Sequence, residues 1–356
     1  MSQIINAAVT KAAITKVAII GAGIAGLSCA TALHKAGFSV TLFEKSRGPS
    51  GRLSTRVTEQ QQYDHGAQYF TARDPLFNTE VERWIKAGVA QLWQPNLQVY
   101  DGQNFTAKDS DCASQTLRFV GYPKNTAPAN WLANSLNCHT EFTVTGIYHQ
   151  AQHWQINTKE HGLHPQHFDA IVLAIPAPQA NVLLSNIASS ATKISANVVM
   201  QPCFALMVHL NQTIPCAFEG LFINNGPLSW IARDSSKPGR TNQHTTGSET
   251  WVLHATSQWS KAHVDDEKET VAQIMLAEFA NIMQRSSAAQ HTIKAQSHQL
   301  HRWLYADCDQ YLTSVYHYDK ANKIGLCGDW LNGGKVQGAW LSGFKLAQHL
   351  IDENNQ

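Results

Sequence analysis

The chain has no apolar stretch approaching the roughly 20 residues needed to span a bilayer. Charge of one sign is lacking too: 27 Lys and Arg stand against 26 Asp and Glu, a net charge of +1 that announces neither nucleic acid nor an anionic membrane as partner. Seven cysteines, at 29, 112, 138, 203, 216, 308 and 327, include no C-x-x-C. An odd, scattered set suits reduced thiols and removes the dithiol–disulfide reductases from contention. The 17 histidines form no H-E-x-x-H or comparable cluster, so no metal centre is expected, and His161, His164 and His167 read as solvated loop residues. No repeat of fixed period and no low-complexity linker divides the chain, so two domains, if present, are interleaved. The first fifteen residues lack a basic start and read as a loose tail, not a secretory signal, which makes a cytoplasmic protein the expectation.

What is present begins with Val17-Ala18-Ile19-Ile20-Gly21-Ala22-Gly23-Ile24-Ala25-Gly26, an apolar strand breaking into G-x-G-x-x-G. The glycines alone are compatible with an ordinary turn, but the context is a complete βαβ opening. A small-residue run from Leu27 to Leu33 suits a helix, Gly37 can close it, and Phe38 to Phe43 alternates as a strand ending on Glu44. In this reading Gly21 permits the tight turn, Gly23 lets a pyrophosphate approach the backbone, and Gly26 allows close strand–helix packing. Glu44 sits where a carboxylate holds ribose hydroxyls and repels a 2′-phosphate, so the cradled nucleotide is expected to belong to FAD or NAD and not NADP.

Further along, Phe168 to Pro176 reads as another apolar strand, and Pro202–His209 and Thr250–Ala255 as antiparallel strands. Val271, Met275, Phe279 and Ile282 recur at helical spacing, with Asp265 and Asp266 available to cap, which predicts a packing helix. At the C-terminus Ile324–Trp330 reads as a strand ending in Gly328-Asp329. Gly333 and Gly334 then open a helix whose Val336, Trp340, Gly343, Ala347 and Leu350 share one face. The start of that helix can face an electron-rich flavin edge or a pyrophosphate. Arg233, Lys237 and Arg240 form a cationic loop that is either a solvated turn or a clamp on substrate phosphates. Among the aromatic residues, Tyr69, Phe70, Trp230, Tyr305, Trp330 and Trp340 are candidates to wall a flat cavity, though such rings also fill cores.

The opening motif, Glu44 and the terminal strand and helix together resemble the FAD-binding domain shared by amine oxidases and their relatives in the glutathione-reductase structural family. Gly48-Pro49-Ser50-Gly51-Arg52 is similar to that family's Gly-Gly-Arg element, with Ser50 in place of the first glycine. The resemblance implies that Arg52 contacts the pyrophosphate, that Asp329 holds the ribityl chain, and that the backbone of Val144, within Thr143-Val144-Thr145, meets adenine. Within the superfamily the chain resembles the bacterial renalase-like group. The carrying blocks are Asp64-His65-Gly66-Ala67-Gln68-Tyr69-Phe70, Trp230 to Arg240, His301 to Ala306, and Gly338 to Gly343. Residues 101–115 and 157–167 fit no such block and are expected to be surface turns.

By this resemblance Ala22, Ile24, Ala25, Lys45, Gly66, Ala67, Gly328, Val336 and Gln337 join the glycines, Glu44, Arg52, Val144 and Asp329 along noncovalent FAD. His65 and Gln68 line the flavin ring, Tyr305 and Trp330 are the preferred aromatic partners in catalysis, and Trp340 joins the cationic loop at the substrate. The expected fold is α/β: a Rossmann-type FAD domain from 1–75, 125–180 and 316–356, with an antiparallel substrate domain from 76–124 and 181–315. The expected reaction is oxidation of a reduced pyridine nucleotide, notably a dihydro-NAD(P) isomer, by hydride transfer to flavin, with dioxygen reduced to hydrogen peroxide. A second G-x-G-x-x-G is lacking, so the substrate nucleotide must visit the flavin directly. Amine oxidation and a flavin-binding module without turnover stay open as alternatives.

Overall fold

A computed structural model describes residues 14–59, 61–108, 116–150, 152–240, 247–286 and 293–356. Residues 1–13 of the expected tail, and Cys112, lie outside them. In the opening strand, Lys16–Ile20, the side chains of Val17 and Ile19 enter one core while Ala18 and Ile20 enter another. Burial on both faces requires layers above and below, as parallel sheets have. The sheet runs His317–Asp319, Ile324–Leu326, Ala170–Leu173, Lys16–Ile20, Ser39–Glu44, Asn137–Thr140, and only its first pair is antiparallel.

One face is covered by two helices, Ile24–Lys35 and Lys335–Asn354, whose backbones approach closely because a Cβ at Gly343 would collide with Ala25 O. The first ends as expected, with Gly37 at φ +90°. The opposite face is covered by a three-stranded sheet, Val144–Gln150, His153–Thr158 and Gly162–Leu163, and by the helix Ala177–Leu184. The stretch 157–167 is therefore more than a surface turn, since Leu163 pairs with Asn157. His164 is half-buried, stacked on Phe168, so it is not a solvated loop residue; the neighbouring His161 ring stacks on Phe142 at 4.0 Å. Within 101–115, Phe105–Ala107 pairs as an edge strand with Leu97–Tyr100, and 109–115 lie outside the described residues.

A second sheet of seven strands runs Ser297–Cys308, Met200–Leu210, Glu249–Ala255, Leu228–Arg233, Gly220–Ile223, Leu97–Tyr100, Phe105–Ala107. Its back face is apolar: Leu206, Val208, Ile231 and Leu253 pack on Val271, Met275, Phe279 and Ile282 of the helix Lys268–Ser286. This is the expected packing helix, although Asp266 pairs with His263 at 2.7 Å. On the front face Met207 and Val252 pack on Tyr63.

Candidate functional site

The cradle is made chiefly of backbone. Gly21 has φ +101°, and a Cβ there would lie 2.6 Å from Ala174 O; one at Gly26 would collide with Gly21 O. Gly23 differs, for a Cβ there would meet nothing nearer than Gly51 Cα at 4.0 Å. The helix that Gly23 opens has no side-chain cap and no acid in its first turn, so the amides of Ile24, Ala25 and Gly26 point to an open approach. Ser50 donates its N–H to Ala22 O at 3.0 Å and holds the Gly48–Arg52 turn against the loop. Glu44 is buried, and its carboxylate accepts from Ala22 N and Ser46 N, each at 2.9 Å. Lys45 beside it is exposed.

Across the cradle, Arg52 pairs with Asp329 at 2.6 Å and donates to Ala306 O at 2.9 Å, which fixes both residues at the mouth. Gly66 packs on Arg52 O, and Ala67 N donates to the same oxygen at 2.9 Å. Gly328 N donates to Ser342 Oγ at 2.9 Å, and Gly333 and Gly334 take φ of +67° and +74° to launch the C-terminal helix. That helix also begins without a side-chain cap or an acid. Its Val336 is buried, while Gln337 Oε1 accepts from Arg73 N and Asp74 N and so ties the helix to the next segment. Val144 begins its strand partly exposed. Two uncapped helix starts and an Arg–Asp pair fit an elongated dianionic dinucleotide: pyrophosphate would meet Gly23 and Arg52, and ribose Glu44.

Above the cradle, strand register aligns His301, Ala205, His254, Trp230 and Phe222 in one row on the front of the seven-stranded sheet. Trp303 follows His301 on the same face and stacks on His65 at 5.2 Å, while His301 meets His65 edge-on at 4.8 Å. His65 O accepts from Trp303 Nε1 at 2.9 Å and from His254 Nε2 at 3.3 Å. Arg56 donates to His301 Nδ1 at 3.3 Å, which fixes that nitrogen as the acceptor. Burial pushes all three imidazoles down, His65 to about 3 and His254 and His301 to about 4. His301 and Arg56 add to the effect at His65, Lys237 at His254, and Arg56 and Lys268 at His301. The cluster is therefore neutral at pH 7, and among the described residues the buried His65 Nδ1 has no hydrogen-bond partner.

The cationic loop is corrected by its surroundings. Lys237 and Arg240 are each 1% exposed. Lys237 Nζ lies 2.6 Å from Asp234 and 3.3 Å from Asp64; Arg240 lies 2.7 Å from Asp64. Their charge is already matched, two against two, with no surface left for a substrate phosphate. Burial raises Asp64, but Lys237 and Arg240 outweigh it and hold the carboxyl below its ordinary value; burial wins at Asp234, which is raised. Arg233 points away, bonding Ile214 O at 2.9 Å over the Trp251 ring.

Gln68 is a strut within this cluster. Its Oε1 accepts from Lys237 Nζ and Trp230 Nε1, both at 3.2 Å, and its Nε2 donates to Asp64 O and to Gly66 O. A carboxamide bonded at both ends has little left for flavin or substrate. Trp330 is fully buried, with Nε1 donating to Ile175 O at 3.2 Å, and Tyr305 leans on the same cluster past a register shift. Trp340 is core as well, packed between Phe77 and Phe344, and Phe70 sits among Phe77, Trp84 and Phe119. Trp303, His254 and Arg56, which the sequence did not single out, gather instead around His65 and His301. Period-two alternation along His301–Trp303 was the available signal for the first; His254 and Arg56 carried none.

Fold and cradle together define a Rossmann-type dinucleotide-binding oxidoreductase. Residues 19–86 match the NAD(P)-binding Rossmann-like domain, and residues 121–351 match the flavin containing amine oxidoreductase model. The chain belongs to the flavin-containing amine oxidoreductase family, and it is an FAD-dependent enzyme. It is similar in structure to a protein provisionally assigned as a protoporphyrinogen oxidase from Exiguobacterium sp. 255-15, with TM-score 0.75 and 12% identity over 95% of this chain and 99% of that one. It is also similar to cyclohexylamine oxidase from Brevibacterium oxydans IH-35A, with TM-score 0.69 and 12% identity over 97% of this chain and 100% of that one. At such identities the likeness speaks for the fold. Among the described residues no helix is long and apolar enough to cross a membrane.

Proposed function

We propose that this enzyme oxidises a reduced pyridine nucleotide, with a dihydro-NAD(P) isomer as substrate, as the renalase-like resemblance implies. The observation that carries this reading is the neutral group of His65, His254, His301 and Trp303 over the cradle. A flat, uncharged dihydropyridine suits a wall of aromatic rings that bears no carboxylate, and stacking holds it at short range while the sheet excludes water. The ring nitrogen of such a substrate itself expels hydride, so a strong base is not required. Imidazoles whose conjugate acids have pKa values of about 3 to 4 are weak bases, in keeping with that chemistry. When bound, FAD supplies a two-electron sink that accepts hydride and is reoxidised by dioxygen to give hydrogen peroxide. The coenzyme is held without a covalent bond, so acid precipitation of the protein releases a yellow supernatant.

The test is anaerobic mixing of the oxidised holoenzyme with 2- and 6-dihydro-NAD, ordinary NADH and a panel of amines, followed by flavin absorbance. Bleaching by the dihydro isomers, with NADH and amines slow, is the expected result. Fast bleaching by amines alone overturns it in favour of amine oxidation, and no bleaching by any of them favours a binding module.

A further inference from the structure

We propose that the groove between the strands Arg56–Val57 and Gln62–Tyr63 and the sheet edge formed by Met200–Leu210 and Ser297–Cys308 binds the tail of the nucleotide substrate, with Arg56 on its phosphate. This rests on the reading that the substrate is a reduced pyridine nucleotide. The groove has a volume of about 460 Å³ and is lined by Thr58, Glu59, Gln61, Met207, His209 and Gln299, among others. That size is in the range of small-molecule sites. It lies along the same strands as the neutral histidine cluster, with Arg56 and His301 between the two. Met207 and Gln299 face each other two residues beyond Ala205 and His301, the next pair on that face, and Tyr63 pairs with Arg56 across the short hairpin. His301 bridges the two regions, edge-on to His65 on one side and bonded to Arg56 on the other.

The chemistry favours a phosphate followed by a nucleoside. Arg56 is partly exposed, and among the described residues its hydrogen-bond partner is a neutral imidazole, not a carboxylate. A forked cation in that state suits a phosphate, whereas Lys237 and Arg240 are saturated by Asp64 and Asp234. Beyond Arg56 the walls change to groups that recognise a nucleoside. Glu59 can accept from a ribose diol, and Thr58, Gln61 and His209 offer donors and acceptors. Gln61 already reaches His209 at 3.2 Å, and among the described residues its buried Oε1 has no hydrogen-bond partner, so the wall offers a further acceptor.

The experiment compares three substrates of one dihydro isomer, the riboside, the mononucleotide and the dinucleotide, on the wild-type, Arg56→Met and Gln299→Trp holoenzymes. Flavin bleaching in stopped flow gives the dissociation constant of each. Arg56→Met is expected to lower the preference for both phosphorylated substrates over the riboside by about tenfold or more, with partial recovery in Arg56→Lys. Gln299→Trp, which fills the groove, is expected to weaken the dinucleotide and to spare the mononucleotide. Uniform losses across the three substrates, or none, overturn the groove while leaving the oxidase reading intact. If wild-type enzyme bleaches with none of the three, the oxidase reading itself fails, and the groove proposal with it.

Discussion

The cradle and the sheet face above it are built from different materials. The cradle uses backbone amides, close glycine contacts and two helix starts, each start set by glycines within a few residues of it, although the two lie at opposite ends of the chain. The sheet face uses side chains from strands separated by up to about a hundred residues, held over the cradle by the buried charges of Asp64, Asp234, Lys237 and Arg240. A backbone site tolerates side-chain change but not an added Cβ at its contact points. A side-chain site has the opposite sensitivity.

Removing the charge that joins the two regions is the harshest way to break this contrast. Lys237→Met leaves two carboxylates sharing one cation in a dry interior and is expected to cost about 3–5 kcal/mol. Urea denaturation reads the loss, and the double variant Lys237→Met, Asp234→Asn should regain a good part of it. A milder pair sharpens the definition of the cradle. Gly26→Ala meets Gly21 O and should cost about 1–3 kcal/mol of stability. Gly23→Ala has room in the protein, so the apoprotein should melt normally while FAD retention on gel filtration drops.

Acid should strike the sheet face first. His65, His254 and His301 have folded pKa values of about 3 to 4, below the unfolded value near 6.5, so the unfolded chain takes up protons that the folded one refuses. Stability from these groups is present above pH 6.5 and is lost as pH falls toward 4. Denaturation series at pH 7.5 and pH 5 should show the drop, and His301→Gln should make it shallower; an unchanged slope would remove His301 from the account. The smallest expected effect lies at Ser50, which holds φ +145° where glycine is favoured. Ser50→Gly should relieve about 1 kcal/mol of strain, a rise in Tm of a few degrees at most.

The degree to which each region was legible follows from the same contrast. Gly21, Gly23, Gly26 and Glu44 lie in one continuous motif, and local spacing alone brings them together. The packing helix around Val271 and Phe279 was equally readable, because its period is a property of the segment itself. In the cationic loop Lys237 and Arg240 come together while Arg233 points away, and the surroundings were not legible: Asp64 is over 160 residues from Lys237, and nothing local marks the two as partners. Trp330 and Trp340 stood as candidates for either a cavity wall or a core, because an aromatic ring looks the same in both, and only burial distinguishes the two.

The sequence by itself determined the nucleotide-binding opening, the glycine-led C-terminal helix and the family, since each depends on backbone conformation and short-range period. Tertiary structure alone decided which charges are spent on one another, which rings reach the space above the cradle, and that His65, His254 and His301 meet. Those outcomes depend on strand register and on which groups lose their water, and both are set by the whole chain closing on itself.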